Sequence, residues 1–264
     1  MTMTQLGIVT YNIAKDWDLP TILKRLEALH FEGVELRTSH AHGVEVSLSP
    51  NRRREVQKRF EGSPVALAGL GSAFEYQSTD PAVVRKNIEE TKEYVRLAHD
   101  VGAPGVKVRP NGLPRGSDTD ATLRRIGDAL HEVGEDAQKF GIEVRVEVHG
   151  DGTQLLPNFA RIMAYADHPN VFACWNSNPT DVLKDGTIAE HFRLVAPKVH
   201  EVHLRDLTDE HYPWRELFAL LAAQDYQGFT LAEIPPSSDP ERVLRYFRAL
   251  WLAYQPRPGA GVKS

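Results

Sequence analysis

Short apolar runs rich in Val, Ile and Leu alternate along this chain with longer stretches whose apolar residues recur every three or four positions. A short run between turn signals fits a buried strand; the three-four rhythm fits a helix with one buried face. The pattern predicts strands over 5–11, 33–38, 65–71, 105–110, 143–149, 171–176, 201–206 and 228–234. The helical rhythm is clearest in Val84, Ile88, Thr91, Val95, Ala98 and Val101, and again in Leu123, Ile126, Leu130, Val133, Ala137 and Phe140. The third strand and the helix after the sixth strand carry the weakest signals.

Punctuation supports the same division. Ser49-Pro50, Asp80-Pro81 and Asp239-Pro240 each place a capping side chain before a proline suited to the first helical position. Gly33, Gly102, Gly141 and Gly228 precede strands, where helix ends call for positive φ. Strict β-α alternation without a break in composition predicts one α/β domain with a parallel sheet. Eight units favour a closed (β/α)8 TIM barrel over an open doubly wound sheet. The expected extent is 1–254, followed by a flexible Pro/Gly-rich tail over 255–264.

Composition narrows the partners. With 31 basic and 36 acidic residues the formal charge is −5, which argues against a nucleic-acid polyanion. No apolar run is long enough to span a membrane and the N-terminus does not read as a signal peptide, so a cytoplasmic protein is expected. Cys174, the single cysteine, lies inside an apolar run and reads as a buried, inert thiol.

Candidate chemistry concentrates where strands end. Glu147, Asn176, His203 and Glu233 each close an apolar run, about 30 residues apart, the length of one βα unit. In a parallel barrel the C-terminal strand ends share one mouth, where active sites are built. Two carboxylates, an imidazole and an amide meeting there could hold a hard cation and move protons. Glu147 and His149 alternate with Val146 and Val148, so they share a strand face. A carboxylate facing inward must meet a cation, a donor or water. Lys107 or Arg145 could supply a structural partner instead of a metal. Arg205, Lys107, His149 and Asn178 are candidate substrate contacts, although Arg205 could equally pair with Asp206 and Lys107 with Glu147. Glu35 reads as structural, and Arg52-Arg53-Arg54 as a solvated helix face. Trp17, Trp175 and Trp214 could wall a sugar pocket, with one or two of them in the core.

The ordered set Glu147-Val-His149, Trp175-Asn-Ser-Asn178, Val202-His-Leu-Arg-Asp206 and Ala232-Glu-Ile234, together with Gly33-Val-Glu-Leu-Arg37, resembles the xylose isomerase-like TIM barrels. That superfamily holds sugar phosphate isomerases and epimerases, ketose 3-epimerases, hydroxypyruvate isomerase, inosose dehydratase and endonuclease IV. The resemblance implies one divalent ion (Mn²⁺, Mg²⁺ or Zn²⁺) on Glu147, Asn176, His203 and Glu233. It implies that the two glutamates serve as an acid/base pair and that Arg205 contacts substrate oxygens. The implied partner is a small sugar or polyol, and the superfamily admits a homodimer. Two positions depart from the pattern. Asn176 stands where an aspartate is usual, and Pro179 where a histidine is usual. The amide removes one negative charge from the cation's shell and should weaken its hold. The reading is a sugar isomerase or epimerase working through an enediolate; a lyase on the same scaffold and a non-catalytic sugar-binding member are the alternatives.

Overall fold

In the computed structural model, which describes residues 4–256, the eight apolar runs form eight parallel strands. They are β1 (Gln5–Val9), β2 (Gly33–Arg37), β3 (Ala66–Glu75), β4 (Gly105–Arg109), β5 (Glu143–Glu147), β6 (Val171–Trp175), β7 (Val199–Leu204) and β8 (Phe229–Ala232). Each pairs with its sequence neighbours, and β8 pairs with β1 to close the barrel. The intervening helices are α1 (Leu19–Leu29), α2 (Pro50–Glu61), α3 (Pro81–Val101), α4 (Thr119–Gln138), α5 (Leu156–Ala166), α6 (Ala189–Arg193), α7 (Trp214–Ala223) and α8 (Pro240–Tyr254). The single α/β barrel is therefore as expected. Most of the predicted tail, 257–264, lies outside the described residues.

The two weak signals have physical causes. β3 runs four residues past its predicted end, through Gly71-Ser-Ala-Phe-Glu75, because it pairs with Arg109 of β4 across a bulge. α6 is one short turn of helix flanked by 3₁₀ turns at Pro179–Asp181 and Ala196–Lys198, so there is little periodicity to read. The caps behave as predicted: Ser49, Asp80 and Asp239 accept from Arg52, Ala82 and Arg242 backbone N–H groups. Gly102 and Gly141 have positive φ. Gly33 and Gly228 do not; His30 and Asp225 take the left-handed turns there. What those two glycines supply is space, since a Cβ at Gly33 would strike the Phe229 ring and one at Gly228 the Tyr226 ring.

Alternation along the strands separates two interiors. Val144, Val146, Val202 and Leu204 point outward into the apolar layer beneath the helices. Trp17, Trp175 and Trp214 are all buried in that layer, so none walls a pocket. Arg53 leaves the expected solvated face and pairs with Asp100 at 2.9 Å. Inward-facing residues form a second, smaller interior. On the β1/β3/β8 side it is apolar: Val9, Ala68 and Leu231, with Phe229 against them. The rest is ionic. Arg145 on β5 donates to the Ala68 carbonyl on β3 and to Glu201 on β7, both at 2.9 Å, which is feasible only across the lumen. His203 on β7 likewise reaches Glu35 on β2 at 3.2 Å.

These long charged side chains fit because the neighbouring strand offers glycine beside each of them. A Cβ at Gly105 would stand 2.7 Å from Arg145 Nε, and one at Gly71 would collide with Glu35 Oε1. The Arg145 guanidinium cannot retreat, being held by Glu143, Glu201 and Ala68. Gly105→Ala should therefore destabilise the barrel by about 1–3 kcal/mol, the usual cost of overpacking. A urea unfolding midpoint unchanged from wild type would contradict this packing.

Candidate active site

Three of the four predicted strand-end residues meet. Single ligand atoms of Glu147, His203 and Glu233 lie within 4.8 Å of one another at the C-terminal end of the barrel. Glu147 ends β5, His203 lies near the end of β7, and Glu233 follows β8 by one residue. Glu147 and His203 are buried, while the Glu233 side chain is 20% exposed and faces His203 Nδ1 at 3.6 Å. Asn176, one residue beyond β6, is also buried, and its Oδ1 has no hydrogen-bond partner. His203 Nδ1 lacks one as well. Buried polar atoms are rarely left unsatisfied.

Each buried ligand candidate has an ionic partner deeper in the lumen. Lys107 Nζ donates to Glu147 Oε2 at 2.6 Å, with both side chains only 4% exposed. Burial alone would push the Glu147 carboxyl up; the Lys107 ammonium, with His203 and His149 behind it, outweighs burial and holds it down at about 2. The same contact raises Lys107 against the effect of its own burial. Of the alternatives open at Glu147, the Lys107 pair is the one that forms, while Arg145 turns to the other end of the barrel. His203 Nε2 lies 3.2 Å from Glu35 Oε2. Burial opposes a charged His203, and its acidic neighbours Cys174, Glu35 and Glu233 favour one and raise it.

A second group, Cys174, Glu201 and His203, also has atoms within 4.8 Å of one another. It is a poor cation site. Burial pushes the Cys174 thiol up, so no thiolate forms at neutral pH, and burial raises Glu201 to about 7 despite Arg145 beside it. The inert thiol expected from the sequence is what the fold contains.

The loop after β6 carries Asn176 and Asn178 and is rigidly braced. Ser177 takes the left-handed conformation at φ 49°. Its hydroxyl donates to the His203 carbonyl at 2.8 Å, and its carbonyl accepts from Arg205 Nε at 2.7 Å. The Asn178 side chain donates to the Val148 carbonyl at 2.6 Å, and its Oδ1 faces Asn176 Nδ2 at 3.4 Å. Asp181 accepts from the Asn178 backbone N–H at 2.7 Å and from Tyr212 Oη at 3.2 Å; Trp175 Nε1 in turn donates to Tyr212 at 2.9 Å. Pro179 opens the 3₁₀ turn of this brace. Arg205 pairs with Asp209 at 3.2 Å rather than with Asp206, and its side chain is 35% exposed. His149 is half-buried, with Nδ1 unpartnered. Arg109 is paired with Glu75 at 2.5 Å.

Sequence reasoning missed Ser177, Asp181, Tyr212 and the role of Glu35. Asp181 had a signal: Asn178-Pro-Thr-Asp181 is a capping box with proline at its first helical position. Glu35 and Tyr212 had none, because their partners are 168 and 31 residues away. A cavity of about 600 Å³ opens at the other end of the barrel, beside Arg145, Glu143 and His200, and shares no residue with this mouth.

A family model described as xylose isomerase-like TIM barrel matches residues 23–251. The chain belongs to the xylose isomerase-like TIM barrel family. No curated protein matches it in sequence. Several solved structures superpose along nearly its whole length. L-ribulose 3-epimerase does so with a TM-score of 0.80 at 16% identity, covering 96% of this chain and 94% of its own. The 3-keto-D-glucoside 4-epimerase YcjR from E. coli gives 0.78 at 15%, covering 95% and 99%. The IOLI protein with a bound zinc atom gives 0.79 at 14%, covering 95% and 97%. At such identities these likenesses establish the fold. Among the described residues no helix is long and apolar enough to cross a membrane.

Removing the buried counter-ion gives a direct test of the site's electrostatics in this xylose isomerase-like barrel. Lys107→Met should cost about 3–5 kcal/mol at pH 7 by stranding Glu147. The Glu147 contribution in wild type is fully present above the unfolded value of 4.5 and lost as pH falls through about 2. In the variant Glu147 protonates more easily, so the urea-measured deficit should shrink on acidification; a deficit independent of pH would contradict the pairing. Asp181 has the opposite sign. Burial raises it from 3.8 to about 7, so its contribution is present at low pH and lost as pH rises through 7. Asp181→Asn should gain on wild type between pH 5 and pH 8 by at least about 1.4 kcal/mol, one pKa unit's worth.

Proposed function

We propose that this chain is a sugar isomerase or epimerase acting on a ketose or related hydroxy-ketone, with a divalent cation held by Glu147, Asn176, His203 and Glu233. The observation that carries the reading is the meeting of Glu147, His203 and Glu233 at one point, beside two buried polar atoms, Asn176 Oδ1 and His203 Nδ1, that have no hydrogen-bond partner in the protein. A cation would satisfy both. Oxygen and imidazole donors without a thiolate suit Mn²⁺, Mg²⁺ or Zn²⁺. Such an ion, when bound, polarises substrate oxygens as a Lewis acid.

The two glutamates are not equivalent. Glu147, held at about 2 and bonded to Lys107, is a weak base that stays ionised. Glu233 stands at the mouth with part of its carboxylate exposed. Abstraction of the proton beside the carbonyl therefore falls to Glu233. Return of a proton, on the opposite face or at the adjacent carbon, falls to Glu147, which would pass on a proton taken from the Lys107 ammonium bonded to it at 2.6 Å. Arg205 and His149 have capacity to receive substrate oxygens. Lys107 and Asn178, engaged by Glu147 and by Val148, act by holding those neighbours and offer substrate only their remaining N–H groups. A lyase acting on a polyol ketone would begin with the same abstraction and would differ by loss of water.

A metal-free sugar-binding role is the second reading. It is favoured by the neutral amide of Asn176 and by Lys107, which already brings a positive charge to Glu147.

Metal content and isotope exchange separate these readings. Purified wild type should carry about one divalent ion per chain, the stoichiometry of a single mononuclear site, and Glu233→Gln less. With a turned-over ketose, Glu233→Gln should slow solvent-deuterium incorporation by about 10²–10⁴-fold, the usual weight of a general base. Undiminished exchange would remove Glu233 from the mechanism; no metal uptake, even with Mn²⁺ or Zn²⁺ supplied, would favour the binding role.

A further inference from the structure

We infer that Glu35, on the strand across the lumen from His203, is the positioning residue that aims the His203 ring and sets which of its nitrogens is open to a cation. The inference rests on the proposed metal site for its consequence, but the contact itself does not depend on that site. Glu35 is fully buried, and Oε2 lies 3.2 Å from His203 Nε2. Among the other groups on that side, Glu201 Oε2 is farther, at 4.0 Å, with its Oε1 held by Arg145 at 2.9 Å, and Cys174 is a neutral thiol, a weaker acceptor than a carboxylate. His203 Nε2 therefore donates its proton to Glu35, and the second nitrogen, Nδ1, is left without a partner and facing Glu233. An imidazole whose N–H is tied to a carboxylate has a fixed tautomer, a fixed ring plane and a more basic free nitrogen.

Two features of the chain serve this contact. Gly71 on β3 leaves open the space that Glu35 Oε1 occupies, where a Cβ would collide with it. The β2–β3 register shifts between Val34 and Glu35, so that Glu35 also stands opposite a glycine, Gly69. Glycine on β3 at both levels gives the carboxylate room to lean into the lumen. A carboxylate this deep is costly unless it is paired. In a β2 residue with no exposed surface, pairing with His203 is the function the geometry can serve.

The test compares Glu35→Leu, which removes the acceptor, with Glu35→Gln, whose amide oxygen can still accept from Nε2–H. Each is read by Zn²⁺ and Mn²⁺ affinity in titration calorimetry and by the hydrogen-bonded His203 Nε2–H proton in ¹⁵N-histidine-labelled protein. That proton is assigned by its loss in His203→Gln, and thermal melts report folding. Glu35→Leu should weaken metal binding by about 10- to 100-fold and lose the protected Nε2–H signal. Glu35→Gln should restore the signal and most of the affinity. Folded Glu35→Leu protein with wild-type affinity and an unchanged His203 signal would overturn the inference. If the wild type binds neither metal, the proposed function falls. The proton signal then decides the positioning role alone: present in wild type and Gln but lost in Leu supports it, and equal in all three overturns it. Should Glu35→Leu fail to fold, Glu35→Gln decides through the same signal, whose absence there would overturn the inference.

Discussion

The barrel lumen must hold charge without water, and that constraint organises the molecule. Arg145, Lys107, Glu35, Glu147, Glu201 and His203 are all nearly inaccessible. Each such group would cost several kcal/mol if it stood alone. None does: Arg145 pairs with Glu201 and Glu143, Lys107 with Glu147, and His203 with Glu35. The apolar part of the lumen is confined to the side formed by β1, β3 and β8. Space for the long polar chains comes from Gly69 and Gly71 on β3 and Gly105 on β4. Glycine placement and charge placement are thus two sides of one packing solution.

This ionic interior grades into the candidate site. At the N-terminal end of the lumen Arg145 is bonded to Glu143, Glu201 and the Ala68 carbonyl, although Glu201 Oε2 has no partner. Nearer the mouth Asn176 Oδ1 and His203 Nδ1 also lack hydrogen-bond partners. A site with residual acceptor capacity above a neutralised base is suited to capture a cation, a substrate or both. The loop after β6 holds the edge of that site through Ser177, Asp181 and Tyr212, whose hydrogen bonds tie this loop to β7 and to the segment leading into α7. Pro179, where the resemblance led us to expect a histidine, has a structural job at the start of a capped turn.

Much of the architecture was legible in the residue pattern. Eight apolar runs and the helical rhythm between them are local signals, and the parallel barrel follows because each βα unit repeats the same handedness and packing. Glu147, His203 and Glu233 could be singled out because each interrupts an apolar run at a strand end. The caps at Ser49, Asp80 and Asp239 were equally readable, since capping depends on neighbours within one turn. Gly33 and Gly228 were misread, because a glycine needed for a facing side chain looks in sequence like one needed for a turn.

What the sequence by itself determined is the set of elements, their order, the closed barrel and the strand ends from which chemistry could be built, all through short-range periodicity and spacing. Only the tertiary structure decided the pairings. Whether Lys107 would answer Glu147 or a substrate, whether Arg205 would choose Asp206 or Asp209, and whether Glu35 would be idle or face His203 depended on side-chain directions across a closed lumen. The physical reason is that charge pairing acts over a few ångströms in space between residues far apart in the chain. Local propensity carries no record of such distances.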